Sequence, residues 1–252
     1  MNLLVVHLVQ SCNLGCYYCP MSRWMKPLDY IFPDAGDYPG ETAGAKFNSL
    51  TNRALLAWLD AYCPPSEWRL NLTGGEPGLY AEIESLLPEL SSRGYRGIIT
   101  TNGTLPIPQD PSFIRVAAWH EGVSDVPPYH DIILILEPNP NDDTESKKRY
   151  CQEHGIPFET KLWVPFHDKE RPPTPQRVFE DLSINSLLYV YSMGQITGCP
   201  RIPVSADVNI HKMSPPVPQP LKPSCPRCTN AYDAERFMPA EWLQGGFKRG
   251  HI

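Results

Sequence analysis

The chain alternates short, continuous apolar runs with segments whose apolar residues recur at helical spacing. The first run is Leu3–Val9. Ser49–Tyr62 then carries Leu50, Ala54, Leu55, Trp58 and Leu59 at helix period, stopped by Pro64 and Pro65. Trp68–Leu72 reads as a second strand. Leu79–Ser92 predicts a second helix with Ile83, Leu86, Leu87 and Leu90 on one face, a kink at Pro88 and a stop at Gly94. Further strands are expected at Tyr95–Thr100, Phe113–Trp119, Asp131–Leu136, Phe158–Val164 and Leu187–Tyr191, and a polar helix at Asp142–His154, closed by Gly155. Runs such as Asp131–Leu136 are apolar throughout, as in strands covered on both faces. Strands alternating with helices predict a parallel sheet, so the pattern alone gives the α/β class.

Parallel α/β folds of the barrel type place their active sites on the loops at the carboxyl ends of the strands. The loop after the first run holds Cys12, Cys16 and Cys19, and the second run ends in Gly74-Gly75-Glu76-Pro77. Thr101-Asn102-Gly103-Thr104 follows the third and Trp119-His120-Glu121-Gly122 the fourth. Four polar or metal-binding motifs are therefore expected on one rim. Three thiolates can hold three irons of a [4Fe–4S] cluster, which leaves the fourth iron open for a small ligand. A zinc site recruits Cys-x2–4-Cys pairs and completes four ligands, and nothing close in sequence completes this set. A ferredoxin run has other spacing. Disulfide use is not expected, because no secretory signal precedes the motif.

Cys12-Asn13-Leu14-Gly15-Cys16-Tyr17-Tyr18-Cys19, followed about fifty residues on by Gly74-Gly75-Glu76-Pro77, resembles the radical S-adenosylmethionine (radical SAM) superfamily. Its signature is Cys-x3-Cys-x2-Cys with an aromatic residue before the last cysteine. The resemblance implies a partial (β/α)6 barrel, open on one side, with Cys12, Cys16 and Cys19 as cluster ligands. By the same resemblance, S-adenosylmethionine is expected to chelate the open iron, and one electron to break its C5′–S bond and give a 5′-deoxyadenosyl radical. The resemblance further implies that Gly74 and Gly75 admit the methionine part closely, since neither carries a Cβ. The Glu76 carboxylate or a backbone carbonyl accepts from its ammonium, Asn102 and His120 stand near ribose or methionine, and Tyr18 covers the cluster or adenine. Plainer roles stand beside these. Asn102 can serve only the Asn-Gly turn, His120 can be a satisfied strand-end histidine, and Tyr17 and Tyr18 can simply pack. Cys63 and Cys151, alone in helical segments, read as small buried apolar residues.

Composition narrows the picture. No run of eighteen apolar residues occurs, so no membrane span is expected. Eight cysteines without an export signal suit metal or redox chemistry in a reducing, cytoplasmic setting. The net charge of −6 argues against a broad nucleic-acid footprint. The 29 prolines concentrate in loops and in the last third, above all Pro215–Pro220 and Pro223, which reads as an extended connector. Pro20–Asn48 reads as a long loop, with Trp24, Tyr30 and Tyr38 expected to contact substrate.

The chain divides into 1–192, the barrel, and 193–252, a short Pro-rich metal-binding extension. The extension carries Cys199, Cys225 and Cys228, a pair at Cys-x2-Cys spacing plus a distant cysteine. It resembles the auxiliary-cluster ("twitch", SPASM-like) region that follows some radical SAM barrels. A second cysteine of that pattern is absent, and His211 stands nearby. A second [4Fe–4S] cluster is expected, with three cysteines or with His211 as fourth ligand; a structural zinc on three cysteines and His211 is the alternative. The resemblance implies an enzyme that abstracts hydrogen from a small polar metabolite, leading to oxidation or rearrangement, with a flavodoxin- or ferredoxin-type electron donor. Two alternatives are modification of a ribosomal peptide or protein side chain, and a non-catalytic metal-binding interaction protein.

Overall fold

The computed structural model describes residues 1–9, 11–14, 50–120, 123–137, 142–162, 186–192, 194–197, 208–217, 219–220 and 237–243. Seven parallel strands form its centre: β1 (Asn2–Val9), β2 (Trp68–Gly74), β3 (Gly97–Thr101), β4 (Phe113–Ala118), β5 (Ile132–Glu137), β6 (Phe158–Leu162) and β7 (Ser186–Val190). The order across the sheet is β6-β5-β4-β3-β2-β1-β7. Two short strands, β8 (Ile196–Thr197) and β9 (Gln219–Pro220), pair antiparallel with the outer edge of β7. All seven expected strands are present. The last parallel strand does not extend the row beyond β6 but returns to lie beside β1, so β1 has a parallel neighbour on each side.

Helix α1 (Asn52–Tyr62) is capped by Thr51, whose hydroxyl accepts from the Ala54 N–H at 3.3 Å. It buries Leu55, Leu56, Trp58 and Leu59. The segment expected to be one helix from Leu79 is two elements: a 3₁₀ turn at Pro77–Leu79, and α2 at Ile83–Ser92. The break follows from Glu76, whose side chain caps the 3₁₀ turn by accepting from the Gly78 N–H. Pro88 lies inside α2. Helix α3 (Thr144–Glu153) begins at Asp143, which accepts from the Ser146 N–H at 3.0 Å. The strict strand–helix alternation expected from sequence does not hold. Residues 102–112, between β3 and β4, contain no helix, and neither do the described residues between β4 and β5. Both connections are proline-bearing (Pro106, Pro108 and Pro111; Pro127 and Pro128), which removes the donors a helix needs.

The alternation of side chains along each strand sorts the core into two faces. Leu4, Val6 and Leu8 join Leu70, Leu72, Ile99, Leu188 and Val190 against Leu55, Trp58 and Leu59 of α1 and Leu86, Leu87 and Leu90 of α2. Farther along the same outer face, Ala117, Ile133 and Ile135 pack with Cys151 of α3. Cys63 and Cys151 are fully buried, as expected of structural cysteines. On the inner face, Leu3 and Val5 join Ile98, Val116, Leu134, Tyr189 and Tyr191, and here Phe237 and Met238 close the layer. The short helix α4 (Ala240–Leu243) is tied beneath them. Arg69 donates through Nε to the Trp242 carbonyl at 2.5 Å, and the Arg96 guanidinium lies 5.6 Å from the Trp242 ring centre. The apolar floor of the inner face is thus made partly by residues about 170 positions downstream of Arg69. Among the described residues no helix is long and apolar enough to cross a membrane.

Candidate functional site

The carboxyl ends of β1 and β2 are joined by backbone first. The Gly75 N–H donates to the Val9 carbonyl at 2.7 Å and the Glu76 N–H to the Ser11 carbonyl at 2.8 Å, which carries the β1–β2 pairing past the strands and into the cysteine loop. Gly74 is needed for this approach. Its φ is +131°, and a Cβ there would stand 2.3 Å from the Val9 carbonyl oxygen. The neighbour that excludes a side chain at Gly74 is therefore the backbone of β1.

Glu76 is fully buried. Its Oε1 accepts from the Thr101 hydroxyl at 2.6 Å and the Gly78 N–H at 3.0 Å, and its Oε2 accepts from the Asn102 N–H at 2.8 Å. Burial pushes its carboxyl above the usual range, while these three donors hold it back. The Glu76 carbonyl accepts from the Leu79 N–H at 2.9 Å. Both acceptor groups of Glu76 thus serve the protein itself, and the carboxylate fastens the end of β2 to the end of β3.

Asn102 is also buried, and it points at the cysteine loop. Its Nδ2 donates to Asn13 Oδ1 at 2.8 Å and lies 3.6 Å from Cys12 Sγ. Its Oδ1 accepts from the Thr104 N–H at 3.0 Å and the Thr104 hydroxyl at 2.7 Å. Asn13 Nδ2 closes the circuit by donating to Thr104 Oγ1 at 2.8 Å. Cys12, half-buried, also accepts the Leu14 N–H at 3.4 Å. Burial first, with the nearby Glu76 carboxylate, holds its thiol above the usual value, against the N–H donors of Leu14, Asn102 and Asn13 that favour the thiolate. N–H groups converging on one sulfur are the donors that a metal-bound thiolate accepts, so the described member of the triad fits the cluster that its spacing implies. Cys16, Cys19 and Tyr18 lie outside the described residues, as do Cys199, Cys225, Cys228 and the Pro20–Asn48 loop. Among the described residues no three His, Cys, Asp or Glu side chains gather as a metal site.

His120 stands just past the end of β4, where its carbonyl accepts from the Val123 N–H at 3.4 Å and from Lys147 of α3. Lys147, buried in that helix, donates through Nζ to the His120 carbonyl at 3.0 Å, the Trp119 carbonyl at 3.1 Å and Asp142 Oδ2 at 2.6 Å. Burial, then the Lys147 charge, lowers the His120 imidazole to about 4. Sequence reasoning passed over Asn13, Thr104 and His7. The first two flank recognised residues, so proximity to the motifs could have flagged them. His7 lies on the inner face by its place in β1, packed 5.0 Å from the Tyr191 ring and 6.4 Å from that of Tyr189, and burial lowers its imidazole to about 4. His211, exposed in the 3₁₀ turn Ile210–Lys212, sits against Gly194 beside β8.

The two lowered imidazoles set a pH dependence. In the unfolded chain a histidine takes up its proton near 6.5, so between there and about 4 the unfolded state binds more protons than the folded one. The stability these neutral rings contribute is complete above about 6.5 and is lost as pH falls to about 4, by up to about 1.4 kcal/mol per pH unit for each ring. Urea midpoints measured from pH 7 to 4.5 should fall accordingly, and His7→Gln should flatten the slope. An unchanged midpoint across that range would show that neither ring is held neutral.

Residues 6–117 match the sequence model of the radical SAM superfamily. Over 108 residues, 43% of this chain, the sequence is 27% identical to AdoMet-dependent heme synthase of Nitratidesulfovibrio vulgaris. Over 116 residues it is 27% identical to the enzyme of the same name from Oleidesulfovibrio alaskensis. The matched stretches span 24% and 25% of those two curated relatives. Among solved structures, a histidine-tagged anSMEcpe with bound AdoMet superposes with a TM-score of 0.50, at 13% identity, over 84% of this chain and 78% of that one. That likeness concerns the fold: a parallel α/β sheet in the manner of a partial barrel.

Proposed function

From the match of residues 6–117 to the radical SAM superfamily, we propose that the protein holds a [4Fe–4S] cluster on Cys12, Cys16 and Cys19, binds S-adenosylmethionine at the rim of β1–β4, and abstracts hydrogen from a small polar metabolite, leading to its oxidation or rearrangement. Bound there, the cluster and the sulfonium cofactor supply one-electron cleavage to a 5′-deoxyadenosyl radical. The chain's own contribution is position. Glu76 carries this reading: one buried carboxylate ties the ends of β2 and β3 together, while its backbone N–H reaches the Ser11 carbonyl beside Cys12. A rim so fastened holds a thiolate at a fixed distance from the glycine backbone.

The donors that Glu76 accepts are all internal, so the acceptors for a methionine ammonium fall to the glycine carbonyls of the motif. Gly74, Gly75 and Glu76 form that edge, with Tyr18 over the cluster or adenine and His120 at the far side of the rim. Electrons come from a flavodoxin- or ferredoxin-type donor. Cys199, Cys225 and Cys228 hold a second cluster in the 193–252 extension, with zinc, joined by His211, as the alternative occupant.

Protein reconstituted anaerobically, with dithionite and S-adenosylmethionine, should release 5′-deoxyadenosine, and Cys12→Ala, Cys16→Ala or Cys19→Ala should each abolish the release. Iron analysis should return about eight irons per chain if both sites hold [4Fe–4S], against about four with a zinc extension. Full cluster loading and measurable cofactor binding without any 5′-deoxyadenosine would favour a non-catalytic metal protein.

A further inference from the structure

We infer that Asn102 acts on the cysteine loop and not on the nucleotide: it is a positioning residue whose carboxamide locks the loop in place and donates an N–H to the Cys12 sulfur, raising the potential at which the site accepts an electron. The inference rests on the iron–sulfur reading of that site.

The argument begins with capacity. A carboxamide offers two N–H donors and an oxygen with two lone pairs. At Asn102 all four are engaged: Nδ2 toward Asn13 Oδ1 and Cys12 Sγ, and Oδ1 toward the Thr104 N–H and hydroxyl. The orientation of the amide is fixed by the Thr104 backbone, since an N–H can only donate and must meet the oxygen. The rest of the circuit follows in one sense. The Thr104 hydroxyl donates to Asn102 and accepts from Asn13 Nδ2, and Asn13 Oδ1 receives Asn102 Nδ2. A ribose hydroxyl could be bound only by breaking a member of this closed circuit.

Asn102 is itself held from behind. Its backbone N–H is anchored on Glu76 Oε2, and its side chain is buried, so the carboxamide reaches the cysteine loop across 90 positions of chain without freedom to swing. An N–H donor on a cluster sulfur favours the more negative, reduced form, and hydrogen bonds to the sulfurs are among the terms that set cluster potentials. Here Cys12 meets the backbone N–H groups of Leu14 and Asn13 and the carboxamide of Asn102. Only the carboxamide can be altered without changing the backbone.

The test is an EPR-monitored redox titration of the reconstituted protein without S-adenosylmethionine, with cofactor affinity measured separately by equilibrium dialysis. Asn102→Ala removes the donor. Asn102→Asp is nearly isosteric, keeps the acceptor for Thr104 and turns an oxygen toward Cys12 and Asn13, so it answers the question if the alanine variant folds poorly. Asn102→Ala should require about tenfold stronger reducing conditions for half-reduction, about 59 mV for a one-electron couple, and Asn102→Asp more. Cofactor affinity should stay within about threefold. Potentials equal to the parent's, or a tenfold loss of cofactor affinity at unchanged potential, would overturn the inference while leaving the proposed function intact. A parent protein that takes up no cluster would overturn both.

Discussion

Gly74→Ala is expected to lower stability by roughly 3–5 kcal/mol, combining left-handed backbone strain with overpacking. The added methyl would overlap the Val9 carbonyl oxygen at 2.3 Å and crowd the Leu8 and Val9 nitrogens at 3.2 Å. All three are backbone atoms at the end of β1, a strand that β7 holds along its other side from Asn2 to Val6. The Gly75 N–H bond to Val9 runs through the same contact. Gly155→Ala is the control: its φ is also positive, at +64°, but nothing lies within 4 Å of the added carbon, so only the strain of about 1–2 kcal/mol remains. Urea unfolding of the two variants separates the terms. A loss at Gly74 no larger than at Gly155 would mean that β1 yields, and that tight packing of the strand ends is not required.

The strands could be read from the sequence because each is a continuous apolar run between breakers, and a strand buried on both faces needs no alternation to declare itself. Their order could not. Nothing in Leu187–Tyr191 distinguishes a strand placed beyond β6 from one returning to β1; that choice is made by pairing with Leu3–Val6, a contact across more than 180 positions. The inner floor was equally hidden, since Phe237 and Met238 are two adjacent apolar residues with no periodicity to mark them. The missing helices between β3 and β4, and among the described residues between β4 and β5, were foreshadowed by prolines, but the expectation of alternation outweighed them.

The rim was readable for a related reason: strand ends and their loops follow directly from strand positions. Individual roles were not. Thr-Asn-Gly-Thr announces a turn, and it does so here, with Gly103 at φ +67°. A turn signal is silent on what the asparagine side chain meets, and Asn13 and Cys12 stand about 90 positions away. His120 shows the same gap. Its strand-end place suggested the rim, whereas its lowered imidazole reflects burial and Lys147 of α3, an otherwise ordinary lysine in a polar helix.

Glu76→Leu should cost on the order of 3 kcal/mol, because it orphans three buried donors at once: the Thr101 hydroxyl and the N–H groups of Asn102 and Gly78. The pH dependence identifies the carboxylate as the cause. Burial raises the Glu76 carboxyl above its unfolded value. Between those two values the folded state binds more protons than the unfolded one, so Glu76 adds stability as pH falls through that window and gives it up as pH rises, opposite in sign to His7 and His120. The leucine variant should lose this acid-side gain, and its urea midpoint should fall more steeply than the parent's on acidification. Glu76→Gln keeps an acceptor oxygen but sets an NH2 group against a donor, so it should fall between the two in stability while sharing the leucine variant's pH profile. Hydrogen exchange at the Asn102 and Gly78 amides should rise in both variants. Parent-like protection there would show that the strand ends are joined by backbone alone, and that the carboxylate is dispensable to the rim.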